Sequence, residues 1–255
     1  RKSVRVDNAD ASTYTDAVVK LLVDYDSDMQ ADFDDLRFTS DNGTTILPHW
    51  IGSTTASDIA EVWVKVPSLP SDGTANIFMY YNNPTATSSE SVDDTFIAAD
   101  DFEDGDITEY SGQTTLFNAG TALPFDGDYG LDNAGDEGQR ANTGGIYRLD
   151  QVVSQGQTFR YWQYLDGVDG VGDEVCTKFG VQSPGSANDN YAVCIEKYGV
   201  ERFTLAKDVI DNDASGTILA SSTVTYATGW YEIEVDWETD DDIIVSLYEA
   251  DGSLV

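Results

Sequence analysis

The sequence predicts an all-β protein of two antiparallel β-sandwiches. Three observations carry that reading. Helical periodicity is nearly absent, period-two apolar runs recur, and each run is bounded by Gly, Asn, Asp, Ser or Pro. With 40% hydrophobic and 11% aromatic residues there is also enough apolar side chain to fill a core, which sets this acidic chain apart from a disordered one.

Taken in order, RKSVRVD reads as an opening strand, followed by VVKLLVDY (18–25), AEVWVKV (60–66) and ANIFMYY (75–81). One exception is expected between them. In SDMQADFDDL, Met29, Phe33 and Leu36 fall three to four apart behind a capping Ser27 or Asp28, so a short helix is predicted over 27–36. LPHWI and VWVKV are strongly apolar, which places Trp50 and Trp63 in the core. After Tyr81 the composition turns to NNPTATSSESVDD, rich in Ser, Thr, Asp and Pro and poor in periodicity. The chain therefore divides into an N-terminal sandwich over 1–84, a linker over 85–100 and a second β-domain over 101–255. Further strands follow in TFRYWQYL (158–165), RFTLAK (202–207), WYEIEVDW (230–237) and DIIVSLYE (242–249). Both chain ends read as boundaries of a fragment, with closing strands expected beyond Val255.

Charge restricts the partners. Forty-seven acidic residues against thirteen basic give a formal net charge of −34, which repels phosphate backbones and anionic lipid. Nucleic-acid binding is excluded on this ground. No apolar stretch approaches the roughly 20 residues of a membrane span, so no membrane insertion is expected. The same charge repels itself, a penalty that molar salt removes by shortening the Debye length to about 3 Å. Adaptation to high salt is one reading, and neutralisation by bound cations is the other.

Two cysteines occur, Cys176 and Cys194, in EVCTKFGVQ and NYAVCIEKYG. A hairpin around SPGSANDN sets them nearly opposite on one face, where Cβ atoms lie about 4.5–5.5 Å apart. They form a disulfide suited to an oxidising, extracellular setting, or they remain two small buried thiols.

The succession MQADFDDLRFTSDNGTTILPHWI, VWVKVPSLPSDGTANIFMYYNNPTA and DDTF…DDFEDG resembles a domain-of-unknown-function family found near the N-termini of secreted and cell-surface proteins of archaea and bacteria. That family is commonly followed by a concanavalin A-like lectin/glucanase domain. Here FEDGDITEYSG, FRYWQYL, YAVCIEKYG and GWYEIEVDW with IIVSLYEADGSLV look like such a jelly roll, of haloarchaeal type. The resemblance implies a secreted or surface-displayed protein with an adhesive or carbohydrate-binding role.

A glycan site needs exposed rings for apolar sugar faces and nearby polar groups for the hydroxyls. Alternation in FRYWQYL sets Phe159, Tyr161 and Leu165 inward and leaves Arg160, Trp162 and Tyr164 toward a groove as ligand-binding residues; the competing reading makes them packing residues. YEIEVDWE resembles the E-x-D-x-E strand of jelly-roll glucanases. In that pattern Glu234 is nucleophile, Asp236 its support and Glu238 the acid/base of a retaining hydrolase, with alternation placing all three on one face. In so acidic a chain an outward strand face of Glu and Asp is equally the default. Metal is read from the dense carboxylates at the start of the second domain, since calcium takes six to eight oxygens from flexible loops. Asp101 and Glu103 are the first-choice ligands of a structural calcium. Further acidic clusters are Asp126 with Asp128, Asp166 with Asp169 and Asp173, and Asp208 with Asp211 and Asp213. The single histidine, His49, rules out a multi-His zinc site and is expected to be structural. Asn42 heads the sequon Asn42-Gly43-Thr44 and is the glycosylation candidate.

Together these readings give a glycan- or surface-polysaccharide-binding adhesion protein. The alternatives are a structural subunit that meets identical subunits in an appendage, filament or virion fibre and, third, a jelly-roll glycoside hydrolase.

Overall fold

The computed structural model describes residues 1–133, 146–148, 153–165, 174–181, 190–198, 200–209 and 216–255. The described residues are all-β apart from one short helix and a 3-10 turn at Thr114–Leu116, and the chain divides into two compact units, Arg1–Asp101 and Phe102–Val255. No helix among the described residues is long and apolar enough to cross a membrane.

The first unit contains β1 (Lys2–Asp7), β2 (Tyr14–Asp24), β3 (Arg37–Ser40), β4 (Ile46–Leu47), β5 (His49–Thr55), β6 (Ile59–Leu69), β7 (Thr74–Tyr80) and α1 (Val92–Thr95). They form two antiparallel sheets, ordered β1-β7-β3-β4 and β2-β6-β5. Alternation in β6 buries Ala60, Val62, Val64 and Val66, which meet Phe38, Leu47, Ile77 and Met79 of the other sheet in one core. This is a sandwich, filled by the inward halves of the runs that the sequence displays.

Three expectations in this unit are corrected. Residues 27–36 form successive turns and no helix: Met29, Phe33 and Leu36 donate to the carbonyls three residues back, and Phe33 sits at φ 63°. The spacing of Met29, Phe33 and Leu36 marks three buried anchors, 5%, 0% and 0% exposed, dropped into the core from a folded loop. The helical ladder loses because Asp35, 2% exposed, takes the Gln30 N–H at 3.0 Å through its side chain.

Trp50 and Trp63 are cross-strand partners on the outer face of their sheet, opposite to the core residues Ile51, Val62 and Val64. Phe96 covers them, with ring centroids 5.6 and 5.8 Å away. Between them a β-bulge at Ile51/Ser53 leaves Gly52, where a Cβ would lie 2.7 Å from the Trp50 ring.

The segment expected to be a linker is folded onto this unit. Arg37 donates to the Thr87 carbonyl at 2.6 Å, the Ile51 N–H to Glu90 at 2.8 Å and the Ser91 N–H to the His49 carbonyl at 2.9 Å. The Glu90 side chain and the Ser91 backbone thereby satisfy groups at the edge of β5.

The second unit contains β8 (Ser111–Gly112), β9 (Phe117–Gly120), β10 (Gly130–Asn133), β11 (Ile146–Tyr147), β12 (Gln157–Leu165), β13 (Glu174–Phe179), β14 (Tyr191–Tyr198), β15 (Val200–Lys207), β16 (Thr217–Thr223), β17 (Gly229–Trp237) and β18 (Ile243–Glu249). Its main sheets are β12-β17-β18 and β13-β14-β15-β16, with the small pairs β9-β10 and β8-β11 beside them. Leu165, Tyr231, Ile233, Val235 and Leu247 of the first main sheet share a core with Phe179, Val193 and Ile195 of the second. Trp237 belongs to this core too, edge-on to Phe179 and Tyr191 at 5.7 Å each. Cys176 and Cys194 are directly paired across β13 and β14 and joined by a disulfide. Cys194 is fully buried with Ala192, Ala206 and Val209, in a cluster separate from the inter-sheet core.

Candidate functional site

Antiparallel pairing puts directly opposed residues on the same face of a sheet, so the register of β12, β17 and β18 determines what their outer face presents. Thr158 faces Asp236, which faces Ile244; Arg160 faces Glu234 and then Ser246; Trp162 faces Glu232 and then Tyr248; Tyr164 faces Trp230. The inner positions are Phe159, Tyr161 and Leu165, all in the core. The residues expected to bind ligand and two of the three expected to act as carboxylate catalysts therefore lie side by side.

Their chemistry is partly engaged internally. The Arg160 guanidinium bonds Glu234 and lies 3.7 Å from Glu232, with the three side chains 33%, 21% and 17% exposed. Asp236 accepts a hydrogen bond from the Thr158 hydroxyl at 3.0 Å. Three carboxylates against one guanidinium leave this face negative. Glu238 stands apart: β17 ends at Trp237, and Glu238 is exposed in the following turn, its N–H donating to the Asp242 carbonyl at 2.9 Å. Alternation thus brings Glu232, Glu234 and Asp236 together, while Glu238 falls outside the strand.

An aromatic residue not expected from the sequence completes the face. Phe125, from the β9–β10 connection, stacks on Trp162 with centroids 3.8 Å apart and planes 12° from parallel, and meets Trp230 edge-on at 5.6 Å. Trp230 in turn meets Tyr164 edge-on at 5.5 Å. The expected open Trp162 platform is instead a half-buried cluster of four rings. No periodicity marks Phe125, because TALPFDGDYG is a connection whose only local signals are its turn residues.

What holds Phe125 in place is Glu103, one of the two residues singled out as calcium ligands. The Glu103 carboxylate accepts the N–H groups of Asp128 at 3.0 and 3.1 Å and of Tyr129 at 2.9 Å. Gly127, at φ +67°, turns the loop so closely around it that a Cβ there would lie 2.3 Å from the carboxylate oxygen. Asp101, the other, ends the first unit. Among the described residues the acidic side chains that converge are Asp104, Asp106 and Glu109, each able to place a carboxylate oxygen within 4.8 Å of the others. The donor set is all hard oxygen, as a divalent cation such as calcium or magnesium requires. Asp106 is held below the usual carboxylate range by hydrogen bonds from the Thr108 backbone and then the Thr108 side chain, so it stays ionised and available. Arg148 lies 3.6 Å from Glu109 and competes for that carboxylate.

Asp126 and Asp128 are exposed in the loop around Glu103; the Asp166, Asp169 and Asp173 cluster and Asp211 and Asp213 lie outside the described residues. Asn42 is exposed, with its side-chain oxygen accepting the Thr44 and Thr45 N–H groups at 2.8 and 2.9 Å and its Nδ2 donating to Thr45 at 2.8 Å. His49 is 2% exposed and packs on Phe38, a structural position.

Neither a curated protein nor a solved structure matches the chain. Residues 32–114 match the model of the family Domain of unknown function (DUF2341).

Proposed function

We propose that the protein is a secreted or surface-displayed adhesion module adapted to high salt, whose second unit is a concanavalin A-like jelly roll that binds glycan on the outer face of β12, β17 and β18. The observation that carries this reading is the register that places Trp162, Tyr164 and Trp230 beside Arg160, Glu232, Glu234 and Asp236. The half-buried rings of Phe125, Trp162, Tyr164 and Trp230 offer an apolar sugar surface, while the carboxylates and guanidinium bond hydroxyls. The negative balance of the face favours neutral or amino sugars over uronates and sulfated sugars. Binding is preferred to hydrolysis because Glu234, the nucleophile of the glucanase pattern, is engaged by Arg160, and Glu238 stands outside the strand.

Glycan-array screening of the intact chain in molar salt is expected to return neutral or amino-sugar ligands. Trp162→Ala should weaken the best of them at least about tenfold, the loss of about 1.4 kcal/mol of ring contact. Glu103→Gln should weaken it less, by loosening the loop that carries Phe125. An array without hits, or a Trp162→Ala variant with unchanged affinity, sinks the proposal.

Calcium is the cation assigned to Asp104, Asp106 and Glu109, with backbone carbonyls and water supplying the remaining oxygens. Calorimetry on chelator-stripped protein is expected to show calcium binding that Asp106→Asn abolishes, together with a rise in the melting temperature of the second unit. Absence of both heat and stabilisation removes the assignment.

A further inference from the structure

The outer strands of a sheet carry an unpaired row of N–H and C=O groups, a template for another strand unless something guards it. Among the described residues the four main sheets have eight outer strands; seven are guarded by charge, shortness or a covering segment, and the eighth, β16, only by a bulge opposite Leu205 and Ala206. β1 carries Lys2, Arg5 and Asp7, β2 carries Asp16, Lys20 and Asp24, β12 carries Arg160, β13 carries Lys178 and β18 carries Glu249. β4 is two residues long and runs into Pro48, while β5 is covered by Glu90 and Ser91, which bond Ile51 and His49.

β16 differs from all of these. Thr217–Thr223 reads TILASST, with neither charge nor proline, and all seven residues are exposed. Ile218 and Leu219 remain 49% and 46% exposed. Among the described residues only β15 pairs with it. The neutral stretch extends well past the strand, from Ala214 to Tyr231, in a chain of which 24% is charged.

We propose that β16 is a homotypic docking edge, on which β16 of a second copy of this chain pairs antiparallel about a two-fold axis, joining two four-stranded sheets into one. Charge selects this occupant. A basic partner gains most on the acidic surface that covers the rest of the molecule and has no reason to seek a neutral strand. Two copies at −34 each repel over nearly every other contact, so the uncharged edge is where they meet at least cost. A two-fold axis at Ala220 sets Ala220 against itself and Thr217 against Thr223, a favourable Thr–Thr cross-strand pair, with Ile218 against Ser222 and Leu219 against Ser221. The interface holds no ion pairs, so its association strengthens with salt as the long-range repulsion is screened. This inference is independent of the glycan reading, which uses the other main sheet.

Sedimentation velocity on the intact chain, from about 0.1 M to about 2 M salt, tests it. Dimer is expected to grow with salt. Ala220→Asp and Ala220→Lys should each weaken dimerisation at least about tenfold, because like charges then face each other across the axis. An equimolar mixture of the two should restore a heterodimer, which variants that merely misfold cannot do. Ser222→Asp mixed with Ile218→Lys, positions that this axis sets opposite each other, repeats the recombination on a second position of the edge. A wild-type chain that stays monomeric throughout, dimerisation that weakens with salt, variants that associate like wild type, or folded variant pairs that fail to recombine at both positions each overturn the proposal.

Discussion

Replacing Asp35 by alanine is expected to destabilise the first unit by about 4 kcal/mol. Asp35 is 2% exposed, and its two oxygens divide their work: Oδ1 accepts the Gln30 N–H at 3.0 Å, and Oδ2 accepts the Asn82 and Asn83 N–H groups at 2.7 and 3.1 Å. The side chain thereby ties the turn-rich loop after β2 to the exit of β7, with Asn82 at φ 80°. Hydrogen bonds to a charged acceptor contribute about 1.5–3 kcal/mol, and a buried donor left unsatisfied costs about 1–3 kcal/mol more than one returned to water. Alanine removes all three hydrogen bonds to the carboxylate and leaves three part-buried donors, those of the exposed Asn82 and Asn83 able to return to water. Asparagine keeps one acceptor oxygen and turns an NH2 toward the remaining donors, so Asp35→Asn should cost about half as much. Denaturant unfolding followed by hydrogen exchange at Gln30, Asn82 and Asn83 reads both the global loss and its origin. An alanine variant within about 0.5 kcal/mol of wild type would remove Asp35 from this role.

Acidification should weaken the first unit through a single residue. Burial, and then the positive charge of Arg37, push His49 down from 6.5 to about 4, while a hydrogen bond to the Leu47 backbone acts in the other direction. The folded state thus holds His49 neutral where the unfolded chain, below pH 6.5, binds a proton. Because the unfolded state carries more protons in this interval, stability rises with pH across it. The contribution is complete above pH 6.5 and is lost as pH falls toward 4, amounting to about 3 kcal/mol at 1.36 kcal/mol per pKa unit. The chain has one histidine, so a single imidazole proton resonance reports the folded titration without assignment. Its midpoint is expected near 4. Carboxylates titrate in the lower part of the same interval, but the difference between wild type and His49→Phe cancels them, and the variant should lack this part of the pH slope. A midpoint near 6.5, or equal slopes in the two proteins, would contradict the prediction.

Period-two patterning found every long strand that the sequence reading named, because alternation is imposed by the strand backbone and survives any arrangement of sheets. It also divided Phe159, Tyr161 and Leu165 from Arg160, Trp162 and Tyr164 correctly between the two faces of β12. Where one face alone is buried, the hydrophobic half identifies itself. The same logic misplaced Trp50 and Trp63. Their sheet has a second apolar layer, closed by Phe96 from the segment after β7, and strand alternation carries no sign of which segment covers a face. The helix expected at 27–36 failed for a related reason. Three to four residue spacing was present, but a buried carboxylate offered the backbone a competing partner, and one residue at positive φ breaks any helix.

The candidate site shows the same division. Sequence alone determined the residue types on the outer face of β12 and β17 and the acidic start of the second unit, while the register of β13 and β14 decided that Cys176 and Cys194 are bridged. Sequence also determined the net charge of −34, which repels phosphate backbones. Tertiary structure alone decided which carboxylates work together. Arg160 draws in Glu234 and Glu232, Glu103 turns away from the acidic cluster to hold the Phe125 loop, and Asp104, Asp106 and Glu109 converge instead. The physical reason is that alternation and composition are properties of a strand and its neighbours in sequence. The partner of a carboxylate is set by whichever backbone N–H or guanidinium the fold brings within about 3 Å, and for Glu103 and Glu234 those come from 25 and 74 residues away.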